Sequence, residues 1–222
     1  FMSARGEKGN IIMLTSFNPN SGKTFVATNL ITSFAIKNKK VLIIDGDLRH
    51  ASMSAYIFSP KKGLANFLGG QIADVHEVII RSEDYPTLSC LPVGTIPPNP
   101  TELLEDPAFG KMLETLRGEY EYILIDCPPI DMVADTQIVN NFVDRTIFVV
   151  RAGLLERDAV PDLENLYQQH KYNNMSLVLN APTADSHYGY KYGYKYGYKY
   201  GYKYGYKYGY SHYGGYYGSE EN

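Results

Sequence analysis

The sequence has few cysteines, no long apolar run and no signal-peptide pattern. Its 222 residues include two cysteines, Cys90 and Cys127. They are isolated and lack the spacing of a metal site, so we expect two reduced, buried thiols, as in the cytosol. No run of about 18 apolar residues is available to span a bilayer. We therefore expect a soluble, cytoplasmic chain. Its Phe1-Met2 start suggests either a piece of a longer polypeptide or residues left by cloning.

A concentrated basic face is also lacking. The formal charge of the whole chain is −3. Residues 185–222 contribute +2, from five Lys against Asp185, Glu220 and Glu221, which leaves −5 for residues 1–184. Nucleic-acid binding usually needs clustered Lys and Arg, so we expect no nucleic-acid partner.

Short apolar runs alternate with segments of helical period over residues 1–183. The predicted strands are residues 10–16, 41–44, 88–93, 122–125, 146–150 and 177–179. Strands that are apolar on both faces and alternate with helices are typical of parallel sheets covered on both sides. We therefore predict the α/β class, with a doubly wound, mostly parallel sheet.

Three helices are predicted with some detail. The first runs from Gly22 to about Lys37, and two shorter ones begin at Thr101 and Pro107. The apolar face expected for the first helix consists of Phe25, Leu30, Ile31 and Phe34. This helix follows a strand and a polar loop, which gives the order strand, loop, helix.

The last 39 residues differ in composition from the rest. Fifteen of the 21 tyrosines lie between Tyr188 and Tyr217, and Gly-Tyr-Lys-Tyr repeats five times from Gly189 to Tyr208. Without aliphatic residues this segment cannot build a core. We predict one domain in residues 1–183 and a disordered, low-complexity tail in residues 184–222. The period of two is also compatible with a strand that places every Tyr on one face.

A phosphate-binding loop is predicted between the first strand and the first helix. Residues 16–24 end in Ser-Gly-Lys-Thr. Backbone N–H groups at a helix N-terminus bind phosphates, Lys23 reaches the β- and γ-phosphates, and the Thr24 hydroxyl can ligate Mg²⁺. The motif is imperfect, because Phe17 stands where a standard loop has Gly. The predicted nucleotide-binding residues here are Asn20, Ser21, Gly22, Lys23, Thr24 and Phe25.

Carboxylates follow two other predicted strands. Asp45 and Asp47 come after residues 41–44, and Asp126 follows residues 122–125. Ligands of open α/β sheets bind at the carboxyl ends of the strands, and Mg²⁺ prefers oxygen ligands. Each Asp alone is typical of a cap or turn. The succession of Gly-Lys-Thr, Asp-x-Asp and Asp at three strand ends instead indicates a magnesium–nucleotide site.

These three elements resemble the Walker A, A′ and B motifs of the bacterial tyrosine kinases (BY-kinases), which accompany capsular and exopolysaccharide assembly systems. The resemblance extends over about residues 8–183 and includes GLANFLGG at 63–70, PPNPTELL at 97–104 and Val149-Val150-Arg151. The Tyr-rich C-terminus completes the pattern. The family implies a P-loop NTPase fold like that of MinD and ParA.

The resemblance implies a Mg-ATP-dependent kinase that phosphorylates its own tyrosine cluster in trans and so regulates polysaccharide polymerisation and export. Lys23 would stabilise the transferred phosphoryl group, and Thr24, Asp45 and Asp126 would hold Mg²⁺. Asp47 would take the proton of the attacking tyrosine. The implied phosphoacceptors are Tyr188, Tyr190, Tyr192, Tyr194, Tyr196, Tyr198, Tyr200, Tyr202, Tyr204, Tyr206, Tyr208, Tyr210, Tyr213, Tyr216 and Tyr217.

Two further residues match the family pattern. Arg49 closes the A′ signature, and both a catalytic role and a structural ion pair are open for it. Asn180 follows the last predicted strand and resembles the asparagine that contacts adenine in related ATPases. The regulatory tyrosine that proteobacterial members carry after the A′ arginine corresponds to Ser52 here, with Tyr56 a little beyond, so this internal activation is in doubt.

The resemblance also implies partners. These are neighbouring subunits in a ring, a cognate tyrosine phosphatase, and a transmembrane activator, fused upstream or separate, that would hold the kinase at the inner face of the membrane. The oligomerisation motif of the family, Glu-x-x-Arg-x-x-Arg, is absent from this sequence. We therefore expect a ring for a longer protein that carries the motif.

Two other functions are open. A partitioning or septum-placement ATPase of the ParA/MinD type shares the fold, but it carries a signature lysine five residues before the loop lysine, where this sequence has Asn18. A non-enzymatic assembly module would use the tyrosine repeat as its functional surface and the nucleotide domain as a switch, because Tyr-Gly repeats can self-associate.

Overall fold

The computed structural model describes residues 10–130 and 134–182. The strands in this part of the chain are β1 (Asn10–Thr15), β2 (Val41–Asp45), β3 (Ile80–Arg81), β4 (Leu88–Leu91), β5 (Tyr122–Asp126), β6 (Arg145–Arg151) and β7 (Ser176–Asn180). The α-helices are α1 (Lys23–Ile36), α2 (Leu64–Leu68), α3 (Pro100–Glu105), α4 (Pro107–Arg117), α5 (Asp135–Asn140) and α6 (Val160–Gln168). Short 3₁₀ turns cover Ser54–Ile57, Val75–Val78 and Arg157–Ala159.

The strands form one sheet in the order β3-β4-β2-β5-β1-β6-β7. Each neighbouring pair is parallel except β3 with β4, which is antiparallel. This confirms the predicted α/β class with a mostly parallel sheet. Strands β2, β5 and β1 are adjacent, so the three strands that precede the predicted motifs end side by side.

Alternate residues of the central strands enter two separate cores, one on each face of the sheet. On one face Met13 and Ile125 pack with Phe109 of α4, together with residues of α5 and α6. On the other face Ile12 and Leu124 join residues of α1. Successive side chains of a strand point to opposite faces, so strands that are apolar throughout bury both. Of the two cysteines predicted to be buried, Cys127 is fully buried and Cys90 is only partly buried.

The buried face of α1 differs from the predicted one. Its fully buried residues are Ala27, Ile31 and Ala35, whereas the Phe25 side chain is 60% exposed. The small alanines let the helix approach the sheet closely, and Phe25 lies on the opposite side of the helix. The prediction for Phe25 was therefore wrong, while Ile31 is confirmed as core.

The two edges of the sheet also depart from expectation. The strand predicted over residues 88–93 ends at Leu91, because Pro92 has no N–H to donate. Strand β3 has two residues, too few for a recognisable pattern. At the other edge Leu177 and Leu179 of β7 are 58% and 63% exposed, so this strand is not buried on both faces. Among the helices of the described ranges, none is both long and apolar enough to cross a membrane.

Candidate active site

The predicted phosphate-binding loop joins β1 to the start of α1. Gly22 has φ 88°, a left-handed conformation that favours glycine. A Cβ at this position would also collide with the side-chain amide of Asn180. The Asn180 Nδ2 donates a hydrogen bond to the Ser21 carbonyl at 2.9 Å. The end of β7 therefore contacts the loop directly, which brings the predicted adenine residue to the nucleotide site.

Other contacts fix the conformation of this loop. The Ser21 Oγ donates to the Asn18 carbonyl at 2.8 Å, and the Arg151 guanidinium at the end of β6 donates to the Asn20 carbonyl at 3.0 Å. Asn20 itself has φ 60°, a conformation that Asn tolerates better than most residues. The loop is thus held by residues at the ends of β6 and β7.

Thr24 and Asp126 meet at the beginning of α1. The Thr24 hydroxyl donates to Asp126 Oδ2 at 2.5 Å. The other oxygen, Oδ1, is buried and has no hydrogen-bond partner within the described part of the chain. An unpartnered buried carboxylate oxygen is costly, and together with a hydroxyl it is the donor set that Mg²⁺ takes when phosphates and water complete its shell. These two residues fit a divalent cation.

Asp45 lies beside Asp126 but has partners of its own. The two residues are in register on neighbouring strands β2 and β5. Asp45 Oδ2 accepts hydrogen bonds from the Ser54 backbone N–H and hydroxyl, both at 2.7 Å, and Oδ1 accepts one from the Asp47 N–H at 3.3 Å. The structure therefore joins Thr24 to Asp126 and directs the carboxylate of Asp45 to Ser54.

Burial dominates the electrostatics of this pair of carboxylates. Desolvation raises the pKa of Asp126 to about 7, against a hydrogen bond from Thr24 and the charge of Lys23, which both lower it. Desolvation likewise raises the pKa of Asp45 to about 6, although the bonds from Ser54 oppose the shift. Neighbouring carboxyl groups whose pKa values lie near neutrality are typical of functional sites. A bound cation would favour their charged forms.

Asp47 sits at the start of the turn that follows β2. Its Oδ1 accepts the backbone N–H groups of Arg49 at 3.2 Å and His50 at 3.1 Å, and the His50 ring nitrogen Nδ1 lies 3.3 Å away. The residue is 7% exposed. One oxygen is thus fixed by the turn, and about a tenth of the side-chain surface reaches solvent.

The Arg49 side chain contacts residues of two helices, α3 and α5. Its Nε and Nη2 donate to the two oxygens of Asp135 at 3.1 and 3.3 Å, and Nη2 also donates to the Thr101 hydroxyl at 2.9 Å. The Thr101 hydroxyl in turn donates to Asp135 Oδ1 at 2.8 Å. Of the two roles open for Arg49, the geometry favours the ion pair.

The family follows from sequence comparison. A family described as an AAA domain matches residues 9–174. The tyrosine-protein kinase CpsD of Streptococcus agalactiae serotype III (strain NEM316) is 36% identical over 177 residues, which cover 79% of this chain and 75% of that protein. This chain belongs to the bacterial tyrosine kinases.

Solved structures agree with the BY-kinase family. The kinase domain of Escherichia coli tyrosine kinase ETK superposes with a TM-score of 0.73 at 32% identity, over 84% of this chain and 73% of that one. The septum site-determining protein MinD of Pyrococcus horikoshii, complexed with Mg-ADP, has a TM-score of 0.63 at 24% identity, over 77% of this chain and 70% of that one. The second likeness concerns the fold alone, as the predicted MinD-like architecture requires.

The candidate site brings together most of the residues predicted from sequence. Thr24 contacts Asp126, Asn180 contacts the phosphate loop, and Lys23 is close enough to influence the pKa of Asp126. The exposed ring of Phe25 adjoins Thr24 along α1. The predicted phosphoacceptors Tyr188 to Tyr217 lie outside the described residues.

Several residues of this candidate site had no role predicted from the sequence. Ser54 orients Asp45, His50 contacts Asp47, and Asp135 holds Arg49. Ser54 is nine residues from its partner, and Asp135 is 86 residues from Arg49, so no local pattern connects them. Thr101 lies inside the PPNPTELL segment, and its place in the family resemblance was the only available signal.

Proposed function

We propose that this chain is a Mg-ATP-dependent protein-tyrosine kinase that phosphorylates the C-terminal tyrosine cluster of a neighbouring subunit. The observation that carries the proposal is the meeting of three motifs at the ends of adjacent strands β2, β5 and β1. There the Thr24–Asp126 pair, fit for a cation, lies beside the buried Asp45. The kinase relatives supply the reaction class, and the tyrosine repeat supplies an acceptor.

The nucleotide would bind along the phosphate loop. Backbone N–H groups of Asn20 to Phe25 would hold the phosphates, Lys23 would bind the transferred phosphoryl group, and Asn180 would contact the base. Thr24 and Asp126 would hold Mg²⁺, with Asp45 adding negative charge beside them. When bound, Mg²⁺ neutralises charge on the phosphate oxygens.

Asp47 would act as the base towards the tyrosine hydroxyl. Its Oδ1 is fixed by two backbone N–H groups, which leaves Oδ2 to accept the proton. A phenol with a pKa near 10 needs to lose that proton only late in a loose transition state. A well-oriented carboxylate is therefore sufficient as the base.

The tail suits transfer between subunits. Its repeat offers many equivalent phenols, and the composition predicts a flexible chain. About 30 residues of such a chain would reach on the order of 30 Å, comparable to the size of a domain. Each phosphotyrosine adds about −1.5 to −2 in charge, so five would change the tail from +2 to roughly −6 or below. The resulting repulsion would dissociate the assembly and so regulate capsular or exopolysaccharide polymerisation and export.

We further propose the partners that this function requires. A transmembrane activator, fused upstream or separate, would hold the kinase at the cytoplasmic face of the membrane, and a cognate tyrosine phosphatase would restore the unmodified tail. The assembly that is switched would consist of neighbouring subunits of the same kinase. Comparing oligomers of phosphorylated and unmodified protein tests the switch, since equally tight association would contradict it.

Intact mass measurement after incubation with Mg-ATP tests the kinase itself. We expect added masses of one phosphate each, detected also by anti-phosphotyrosine antibody. Lys23→Met should lower the initial rate at least 100-fold, because Lys23 neutralises charge that develops on the transferred group. Truncation after Thr183 should remove the acceptors and leave nucleotide binding unchanged.

A mixing experiment separates transfer in trans from transfer in cis. Truncated wild-type chain supplies an active site without a tail, and full-length Lys23→Met supplies a tail without an active site. Phosphate on the Lys23→Met tail would support transfer between chains. No phosphate on any form, despite nucleotide binding and an added activator segment, would contradict the kinase proposal and favour a nucleotide switch.

A further inference from the structure

Arg49, Asp135 and Thr101 form a closed cluster that we call the A′ clamp. Asp135 opens α5, Thr101 is the second residue of α3, and Arg49 lies in the turn after β2. Each residue bonds both of the others, at distances of 2.8 to 3.3 Å. The Asp135 side chain is fully buried, and that of Arg49 is 35% exposed. Two-point Arg–carboxylate pairs fix geometry as well as charge.

The A′ clamp is connected to Asp47 through the backbone. The clamp holds the side chain of Arg49, and the backbone N–H of Arg49 donates to Asp47 Oδ1 at 3.2 Å. The next N–H, of His50, binds the same oxygen, and the Ala51 N–H binds the Asp47 carbonyl at 2.9 Å. The turn therefore wraps around Asp47, and the clamp fixes the turn to α3 and α5.

We propose that Asp135 and Thr101 are positioning residues that aim the Asp47 carboxylate through Arg49. The inference rests on the proposed function, in which Asp47 takes the tyrosine proton. It concerns the reaction rate and not nucleotide binding, because the clamp bonds the A′ turn and none of the loop residues 16–24. A displacement of about 1 Å at a reacting group can cost roughly 100-fold in rate.

Thr101→Val is the sharpest test. It removes the hydroxyl that bridges Arg49 and Asp135 but keeps the shape of the side chain and the ion pair. Loss of Asp135 would instead leave the Arg49 guanidinium without its carboxylate partner and destabilise the fold. We expect kcat for transfer to the tail of the Lys23→Met chain to fall roughly tenfold, with the Kd for Mg-ADP changed less than twofold. Thr101→Ser should restore most of the rate. Thr115→Val, at an exposed hydroxyl on α4, is the matched control.

A double mutant shows whether the effect passes through Asp47. In an Asp47→Asn background, Thr101→Val should change the residual rate less than twofold, because the residue that the clamp aims is already disabled. An undiminished tenfold loss in that background, or a normal kcat in Thr101→Val alone, would overturn the proposal. An inactive wild-type chain would instead contradict the proposed function, so the two failures are distinguishable.

Discussion

Strands β2 and β5 carry charged residues at both ends, and the two ends obey different rules. Where the strands begin, Lys39 and Glu121 form an exposed ion pair at 2.8 Å that lowers the pKa of Glu121 and raises that of Lys39. Where they end, burial raises the pKa values of Asp45 and Asp126. Folding thus favours the charged forms at the first end and disfavours them at the second.

The difference shows that the carboxyl ends of β2 and β5 hold charged groups whose burial lowers the stability of the fold. Charges at the first end stay in water and have protein partners, so they need no ligand. At the second end, buried Asp126 retains an oxygen without a protein partner in the described ranges, and a bound cation would supply one. Native structures generally satisfy buried polar groups, and exceptions cluster at functional sites. Substitutions at the two ends should therefore have opposite consequences.

The largest expected contrast is in activity. Asp47→Asn should lower kcat by roughly 10²- to 10⁴-fold, because it removes the proton acceptor and keeps the shape. Glu121→Gln, at the beginning of β5, should leave kcat within twofold. Initial rates of phosphotyrosine formation measure both variants, with Mg-ADP binding as the check on folding. Similar rates for the two variants would remove the functional distinction between the ends.

Substitution at the buried end should lower activity but raise the stability of the protein. The raised pKa of Asp126 means that folded protein holds a proton that the unfolded chain releases near pH 4, so this group costs stability as the pH rises from about 4 through 7. Asp126→Asn, a neutral isostere, should therefore stabilise nucleotide-free protein at pH 8 by about 2 to 4 kcal/mol, and by less at pH 5. Glu121→Gln should destabilise slightly.

Urea unfolding in EDTA at both pH values measures these changes. A wild-type protein that is as stable as Asp126→Asn at pH 8 would mean that the carboxylate is not penalised by burial. Addition of Mg-ATP should reverse the order, because only the wild-type carboxylate gains a cation. The same substitution would then be stabilising in the empty site and unfavourable in the loaded one.

The strand ends could be predicted from sequence because their signals are local. An apolar run followed by Gly-Lys-Thr or Asp identifies both a buried strand and the polar residues at its carboxyl end. The sheet order then places β2, β5 and β1 side by side, an order that was not predicted from the sequence. The contact of Thr24 with Asp126 depends on that order, because Thr24 follows β1 and Asp126 ends the neighbouring strand β5.

Partners that are distant in sequence could not be found in this way. Asp135 pairs with Arg49 across 86 residues, and Thr101 with Asp135 across 34. Neither hydrogen bond leaves a periodic pattern, and an acidic residue at the start of a helix has an ordinary capping explanation. The prediction that Phe25 is buried failed for a different reason. Hydrophobicity alone does not show which side of a helix meets the sheet when alanines supply the close contact.

The smallest expected effect belongs to His76 in the 3₁₀ turn Val75–Val78, which contacts Glu119 just before β5. Its ring bonds Asp74 at 2.6 Å and Glu119 at 2.9 Å, and these two bonds raise the pKa of His76. A histidine whose pKa is raised by folding adds stability that is complete below its unfolded value of about 6.5 and disappears as the pH rises through the folded value. The companion shift, a lowered pKa of Asp74, adds stability that is lost in acid.

His76→Gln should therefore be less stable than wild type near pH 6 and equal to it in alkaline solution. The difference should be small and should shrink in 1 M salt, since the side chain is 45% exposed and its partners are solvated. Thermal unfolding at pH 6 and pH 9 checks this. If His76→Gln were still less stable than wild type at pH 9, the stability contributed by His76 would come from packing and not from charge. The exposed end would then resemble the catalytic end, where burial governs the carboxylates.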